Sequence, residues 1–192
     1  MPPITIFSDF SCPFSYVTEV ALRRRAAAGG LEIRYRAFEI YPAPARPIAP
    51  AEEPGWDERV RPLARELGVD LRAPGFRPRT RKAHEAYRFA VERGVGDGMR
   101  RAIFRAYWGE ERDIGRIDVL GELIARLDVD PEDLRIALDI DRFHDEVVGD
   151  EEIAARLRVR ATPTVFIGTG RDARIHVGAL GPAALDEALA SR

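Results

Sequence analysis

Cysteine and lysine are almost absent from this sequence, which contains Cys12 and Lys82 as the only residues of their types. One cysteine excludes an internal disulfide. The three histidines, His84, His144 and His176, are far apart and show no metal-ligand spacing. The sequence therefore predicts no metal site, and the histidines are expected on the surface or at helix caps.

Long apolar runs and an excess of charge of one sign are absent too. No apolar run approaches the roughly 20 residues of a membrane span, and the formal net charge is only −2. This balance gives no electrostatic reason to expect nucleic acid or a membrane as a partner. The first residues lack the basic and apolar regions of a secretion signal. Together with the lack of a disulfide, these features predict a cytoplasmic protein.

The first 40 residues have the pattern of a β-α-β unit. Residues 4–9 are an apolar, β-branched run, which predicts a strand. Pro13 suits the first turn of a helix, because its missing N–H would have no partner there. Apolar residues at helical spacing continue to residue 28, where two glycines follow. Residues 31–38 alternate apolar with polar residues, which predicts a second strand, parallel to the first across the helix.

The middle of the chain has a different character. Residues 39–55 contain five prolines and are typical of an extended linker or a surface loop. Residues 56–157 have mostly helical patterns, separated by glycine, aspartate and proline. Aromatic residues at helical spacing in this stretch are expected mainly in the core, with a substrate groove as the alternative.

The end of the chain returns to strands. Residues 163–167 and 174–177 are predicted strands, and residues 182–190 are a predicted helix that begins with proline. The order favours an α/β fold with one mixed sheet, β-α-β then β-β-α, interrupted by an all-helical insertion. Two consecutive domains explain the pattern less well, because neither end has enough strands alone. The predicted domain comprises residues 1–45 and 150–192, and the insertion comprises residues 46–149.

Cys12 lies between the first strand and the first helix, in the sequence Cys-Pro-Phe-Ser. A thiol at a helix N-terminus faces unpaired N–H groups and the positive end of the helix dipole, which favour the thiolate. Its pKa is expected to fall from about 8.5 into the range of roughly 3.5–7.5. The alternative is an inert buried cysteine. The position before a proline-started helix favours the reactive thiol.

Ser15 stands where a second cysteine would complete a dithiol site. A serine hydroxyl is too weak a nucleophile to release a substrate from a mixed disulfide. An outside thiol must then do so, and glutathione is the most available one. Ser15 is predicted to donate a hydrogen bond to the thiolate. The alternative is an ordinary first-turn serine without a catalytic part.

Four stretches of the chain, in order, resemble the DsbA-like thioredoxin superfamily. They are residues 9–16 (Asp-Phe-Ser-Cys-Pro-Phe-Ser-Tyr), 83–90 (Ala-His-Glu-Ala-Tyr-Arg-Phe-Ala), 103–108 with Asp113-Ile114, and 159–166 (Val-Arg-Ala-Thr-Pro-Thr-Val-Phe). The resemblance covers nearly the whole chain. Within the superfamily, the chain most resembles the branch that contains FrnE-type oxidoreductases and 2-hydroxychromene-2-carboxylate isomerase. It implies a thioredoxin-like fold split by a helical insertion.

The resemblance also implies roles for individual residues. Cys12 stands at the nucleophilic position, and Pro163 stands at that of the cis-proline that faces it. Thr162 would then lie beside Cys12, with its backbone available to a peptide or glutathione. Without the resemblance, a trans proline that begins a strand is the alternative for Pro163. The start of the active-site helix and its groove would be formed by Pro13, Phe14 and Tyr16.

The motif departs from both parts of that branch. FrnE-type members resemble Cys-Pro-Trp-Cys here, whereas the isomerases resemble Ser-Pro-Tyr-Ser and bind glutathione. Our first hypothesis is a thiol-disulfide oxidoreductase that acts through Cys12, with glutathione or a partner thiol as co-substrate and no tightly bound cofactor. The second is a glutathione-dependent isomerase or transferase. The third is a peptide-binding thioredoxin-like module that has lost catalysis.

Overall fold

The protein is described by a computed structural model that covers residues 3–53 and 55–190. Pro54 of the proline-rich segment, and residues 1–2 and 191–192 of the two predicted domain halves, lie outside the described residues. The described strands and α-helices are, in chain order, β1 (Ile4–Ser8), α1 (Pro13–Ala27), β2 (Ile33–Ala37), α2 (Trp56–Glu66), α3 (Arg81–Glu92), α4 (Gly96–Trp108), α5 (Ile117–Ala125), α6 (Pro131–Asp139), α7 (His144–Arg156), β3 (Thr164–Ile167), β4 (Arg174–Val177) and α8 (Pro182–Ala190).

The strands form one mixed sheet in the order β2-β1-β3-β4. β1 and β2 are parallel, with Ile4 opposite Ile33, which confirms the predicted β-α-β unit. β3 pairs antiparallel with β1, and β4 pairs antiparallel with β3. The central strand β1 is buried along almost its whole length. The loop after β1 therefore starts from a fixed position, and this loop carries Cys12.

Helices α2 to α6 form the insertion between β2 and β3, and their apolar faces join the same hydrophobic core as the sheet. α7 crosses the predicted boundary between residues 149 and 150. Its Asp150 accepts hydrogen bonds from the Ala37 N–H (2.9 Å) and from Arg36 (2.6 Å), so this half of α7 lies against β2. Aromatic residues of the insertion, including Phe104, Tyr107 and Trp108, are buried. The prediction that they are mainly core is confirmed.

Lys82 holds two helices of the insertion together. Its Nζ donates hydrogen bonds to the Leu138 carbonyl (2.6 Å), to Glu85 (3.0 Å) and to Asp141. Carbonyls in the last turn of a helix lack intrahelical partners, so a cation there stabilises α6. Burial acts to lower the pKa of Lys82, but its hydrogen bonds to Asp141 and Glu85 outweigh burial and raise the pKa.

Within the described ranges, no helix combines the length and the apolar character needed to cross a membrane.

Candidate functional site

Cys12 is the N-cap residue of α1. Its backbone is extended, and its sulfur accepts a hydrogen bond from the Ser15 N–H at 3.4 Å. The first N–H groups of a helix have no intrahelical partner, so the sulfur takes the place that a serine or aspartate oxygen usually fills. Pro13 follows as the first helical residue and needs no N–H partner. The local sequence thus places the sulfur at the start of α1.

The sulfur also meets the chain just before β3. The Cys12 thiol donates a hydrogen bond to the Thr162 carbonyl at 3.3 Å. The Thr162–Pro163 peptide bond is cis, and the Pro163 carbonyl accepts from the Gly178 N–H at 2.9 Å. These contacts bring Cys12, Ser15, Thr162 and Pro163 together because β3 lies beside β1. We call these four residues the thiol site.

Two hydroxyls of the thiol site have no hydrogen-bond partner. Ser15 Oγ and Thr162 Oγ1 are both buried and unpaired among the described residues. Each is close enough to the sulfur to lower the pKa of Cys12. A hydroxyl can rotate to donate or to accept. Both hydroxyls are therefore free to donate to a sulfur that has lost its proton.

The resting sulfur is a thiol. Burial raises the pKa of Cys12 above its ordinary value, and the two hydroxyls and the Ser15 N–H offset this only in part. The lowered pKa predicted from the helix position is therefore wrong for the resting site. The residue is only 3% exposed. Position at a helix start is visible in the sequence, whereas burial by a loop 150 residues away is not.

Phe14 and Tyr16 point to different surroundings. Phe14 is partly exposed, and the Arg59 guanidinium lies 5.2 Å from the centre of its ring. Tyr16 stacks on Phe104 with ring centres 4.9 Å apart. Tyr16 also lines a large cavity between α1 and α4 whose described wall does not include Cys12. Tyr16 thus belongs to an opening that neither Cys12 nor Phe14 lines among the described residues.

Asp9 was not singled out by the sequence, yet it shapes the loop that carries Cys12. Its carboxylate accepts hydrogen bonds from the Ser11 N–H (3.0 Å) and the Ile40 N–H (2.7 Å), and its carbonyl accepts from the Cys12 N–H (3.1 Å). Burial raises the pKa of Asp9, and its charge contributes to the raised pKa of Cys12. An aspartate directly after a strand, able to form an Asx turn, was the available signal.

His84 is buried, which corrects the prediction that all three histidines lie on the surface or at caps. Its Nε2 lies 4.0 Å from Asp9 Oδ1 and makes no hydrogen bond with any residue that the structure describes, and its ring packs on Phe10. Burial, with the nearby arginines Arg100, Arg88 and Arg81, lowers the pKa of His84 well below its usual value. His84 is therefore neutral at pH 7. No spacing in the sequence indicates this contact.

A buried ion pair lies on α1 beyond the thiol site. Arg100 donates to both oxygens of Glu19, with Nε 2.8 Å from Oε2, and to the Ser8 hydroxyl at 2.9 Å. The Ser8 hydroxyl in turn donates to Glu19 at 2.7 Å. The guanidinium also lies over the rings of Tyr35 and Tyr87. This ion pair ties β1, α1 and α4 together, and so joins the sheet to the insertion.

Acidic groups also meet near the end of β2. Arg81 donates hydrogen bonds to Glu39 and to Glu151, the latter at 3.1 Å. Burial, with the Glu39 carboxylate nearby, raises the pKa of Glu151 to about 7. The charge of Glu39 also contributes to the raised pKa of Asp9. Glu151 can therefore change its charge near neutral pH.

One group of side chains could in principle hold a metal. Ligand atoms of Glu85, Asp141 and His144 lie within 4.8 Å of one another. The Lys82 ammonium donates to both carboxylates and already supplies positive charge there. We assign no metal to this group.

A sequence model of the DSBA-like thioredoxin domain matches residues 3–190. Among solved structures, the chain is similar to the probable DsbA oxidoreductase SCO1869 from Streptomyces coelicolor, with a TM-score of 0.82 and 24% identity over 98% of this chain and 88% of that one.

Two further structures are similar in fold. One is a 2-hydroxychromene-2-carboxylate isomerase, with a TM-score of 0.81 and 19% identity over 97% of this chain and 94% of that one. The other is the cytosolic disulfide reductase DsbM from Pseudomonas aeruginosa with GSH, with a TM-score of 0.70 and 20% identity over 91% and 89%. At these identities the likeness concerns the fold, and it confirms the predicted thioredoxin-like architecture with a helical insertion.

Proposed function

Because the chain belongs to the DSBA-like thioredoxin domain family, we propose that it is a thiol-disulfide oxidoreductase that works through the single sulfur of Cys12. The observation that carries this proposal is the position of the sulfur. It lies between the N–H of Ser15 at the start of α1 and the carbonyl of Thr162 before Pro163. A structural cysteine needs neither contact.

The reaction is a pair of thiol-disulfide exchanges. The Cys12 thiolate attacks one sulfur of a substrate disulfide R–S–S–R′, forming Cys12–S–S–R and releasing R′S⁻, which takes up a proton. A glutathione thiolate then attacks the substrate sulfur of this mixed disulfide. This forms R–S–S–G and returns Cys12 to the thiolate. The sum is R–S–S–R′ plus GSH giving R–S–S–G plus R′SH.

Glutathione is proposed as the resolving thiol because Ser15 cannot release the substrate from the mixed disulfide. Its hydroxyl is a poor nucleophile towards sulfur, and no second cysteine exists in the sequence. The similarity in fold to a cytosolic disulfide reductase described with GSH supports this choice and a cytoplasmic location. A protein thiol is the other resolving group that fits the chemistry.

The resting contacts suggest how the thiol is activated. The S–H donates to the Thr162 carbonyl, so loss of the proton ends that hydrogen bond. The hydroxyls of Ser15 and Thr162, which have no partner in the resting site, can then donate to the sulfur. The freed Thr162 carbonyl becomes an acceptor for an N–H of the substrate or of glutathione. Substrate binding would thus favour the thiolate and oppose the effect of burial, which raises the pKa of Cys12.

A glutathione-dependent isomerase of the 2-hydroxychromene-2-carboxylate type is the second candidate. The raised pKa of Cys12 favours it, because bound glutathione would then supply the thiolate and Cys12 would not have to ionise. The similarity in fold to such an isomerase over nearly the whole of both chains supports it as well.

The test is the alkylation rate of Cys12 against pH, followed by incubation with oxidised glutathione and intact-mass measurement. We expect an alkylation midpoint above that of a free thiol, one glutathione added, and its removal by reduced glutathione. Ser15→Cys should release bound glutathione without an added thiol. Saturable binding of reduced glutathione without any adduct, retained in Cys12→Ser, would reject the oxidoreductase in favour of the isomerase.

A further inference from the structure

A cavity of about 1070 Å³ lies beside α1, separate from the thiol site. Its wall is formed by one face of α1, by the segment after α2 and by parts of α4 and α5. We call it the α1 cavity. The mechanism proposed above makes no use of it.

The α1 cavity is lined by more positive than negative charge. Six arginines and three acidic residues contribute to its wall. Every one of these acids is already paired with a lining arginine: Asp97 with Arg101, Glu110 with Arg105 at 3.2 Å, and Asp70 with Arg72 at 3.7 Å. The other three lining arginines therefore have no acidic partner in the wall to neutralise their charge.

Those three arginines are Arg23, Arg24 and Arg126. Arg23 lies 3.6 Å from Glu19, but both Glu19 oxygens already accept from Arg100, and one terminal nitrogen of Arg23 makes no hydrogen bond. Arg24 donates only to a neutral acceptor, the Leu67 carbonyl. Arg126 is exposed, and its side chain has neither an ion pair nor a hydrogen bond in the described part of the chain. An anion in the cavity would meet cations from both α1 and the end of α5.

The remainder of the wall is apolar. Val20, Leu67, Val69 and Leu123 line it, and the Tyr16 ring is fixed in place by its stack on Phe104. A purely inorganic anion would leave this surface in water. A ligand with an apolar or aromatic body and an anionic group would satisfy both parts of the wall.

We propose that the α1 cavity binds an organic anion, with an aromatic or aliphatic body and carboxylate or phosphate oxygens. The planar guanidinium groups of Arg23, Arg24 and Arg126 suit such oxygens, because each can donate paired hydrogen bonds. The body of the ligand packs on Tyr16, Val20 and Leu123. Cys12 takes no part in this binding.

The test is isothermal titration calorimetry at low salt with 2-naphthoate and, separately, with 2-naphthyl phosphate, which distinguish the two anionic groups. Saturable binding of at least one probe to a single site is expected, weakened by added salt. Ala27 lines the cavity and the neighbouring exposed Ala28 does not. Ala27→Glu should therefore weaken binding about tenfold or more, and Ala28→Glu should change it by less than about twofold.

A second matched pair tests the cation directly. Arg126→Gln should weaken binding several-fold, whereas Arg34→Gln removes the same charge from an exposed arginine outside the cavity and should leave binding unchanged. Cys12→Ser should bind the probe normally, which separates this proposal from the thiol chemistry. Absence of saturable binding by both probes overturns the proposal. So does equal weakening in Ala27→Glu and Ala28→Glu, or loss of binding in Cys12→Ser.

Discussion

Two buried polar clusters lie along the same helix, and they are built in opposite ways. At the start of α1, the hydroxyls of Ser15 and Thr162 beside Cys12 have no hydrogen-bond partner within residues 3–53 and 55–190. Further along α1, Glu19 accepts hydrogen bonds on both carboxylate oxygens, from Arg100 and from the Ser8 hydroxyl. In the first cluster, two hydroxyls can still form hydrogen bonds. In the second, both oxygens of the central carboxylate already accept them.

Under the proposed function, this difference distinguishes the reactive thiol site from the ion pair that supports its helix. A buried polar group without a partner costs about 1–3 kcal/mol, so folding stability alone would not keep one. Local rules are broken mainly where function requires it. The Arg100–Glu19 pair, by contrast, fixes the helix that positions the sulfur. The predictions below test each side of this comparison.

The largest effect is expected from Cys12→Ser, which should abolish formation of the glutathione mixed disulfide. The variant lacks the only sulfur that can form the bond, and its oxygen still accepts at the helix N-terminus. Mass measurement after incubation with oxidised glutathione tests the loss, and thermal unfolding should show little change. Ser15→Ala, the matched control, should still form the adduct. Any adduct on Cys12→Ser would contradict the assignment.

Arg100→Met should destabilise the fold by about 3–5 kcal/mol, because the buried Glu19 carboxylate keeps only the Ser8 hydroxyl and the Arg23 guanidinium at 3.6 Å as partners. Urea unfolding at equilibrium measures the change. The control is Arg101→Met, since the Arg101–Asp97 pair is exposed and its loss should cost about 0–1 kcal/mol.

Adding Glu19→Leu to Arg100→Met should recover part of the lost stability, because the buried charge that lost its main partner is removed. If Arg100→Met and Arg101→Met cost the same, the supporting role of the buried pair is wrong.

An intermediate effect is expected from pH. The pKa of Glu151 is about 7 in the folded protein against an ordinary value of 4.5. The folded state thus holds this proton more tightly, and its contribution to stability is complete below pH 4.5 and lost as the pH rises through about 7. The stability of the wild type relative to Glu151→Gln should therefore increase by about 1–3 kcal/mol from pH 8 to pH 5.

Urea unfolding of both proteins across this range measures that difference. His84 acts in the other direction: its lowered pKa makes both proteins less stable as the pH falls below 6.5. Because both proteins contain His84, its effect cancels in the comparison. A difference that is constant with pH would show that Glu151 does not titrate in this range.

The smallest loss of stability is expected from Ser15→Ala and Thr162→Val: neither should destabilise the fold, and each should stabilise it by up to about 1–3 kcal/mol, since it removes a buried hydroxyl that makes no hydrogen bond with the described residues. Both variants should raise the pKa of Cys12 further and slow its alkylation at a fixed pH, because a donor to the thiolate is lost. Thr162→Ser keeps the hydroxyl and should alkylate at the wild-type rate. Unchanged alkylation in both hydroxyl-deleted variants would exclude a role for these groups.

The order of strands and helices could be predicted from the sequence. Short-range periodicity, proline and glycine fix such elements, and the predicted strand at 174–177 and helix at 182–190 match β4 and α8. The predicted boundary between residues 149 and 150 lies within α7. Nothing in the local pattern indicates that one helix contacts both the insertion and β2.

The thiol site was only partly predictable. The start of α1 identifies Cys12 as a candidate. Its contact with Thr162, 150 residues further along the chain, is predicted only by the family resemblance. Burial reverses the pKa shift expected from the helix, and burial depends on packing of the whole chain. His84 and Asp9 meet for the same reason, since α3 is separated from β1 by the proline-rich segment and α2.

The contacts of Lys82 have a practical consequence. Acylating reagents react with an unprotonated amine, whose lone pair attacks them, and the one side-chain amine of this sequence is an ammonium held by Glu85, Asp141 and the Leu138 carbonyl. Dyes and cross-linkers aimed at lysine will therefore label the folded chain slowly at this position. Labelling of Lys82 should become faster when its contacts with Glu85, Asp141 and the Leu138 carbonyl break, so its rate responds to local opening between α3 and the end of α6.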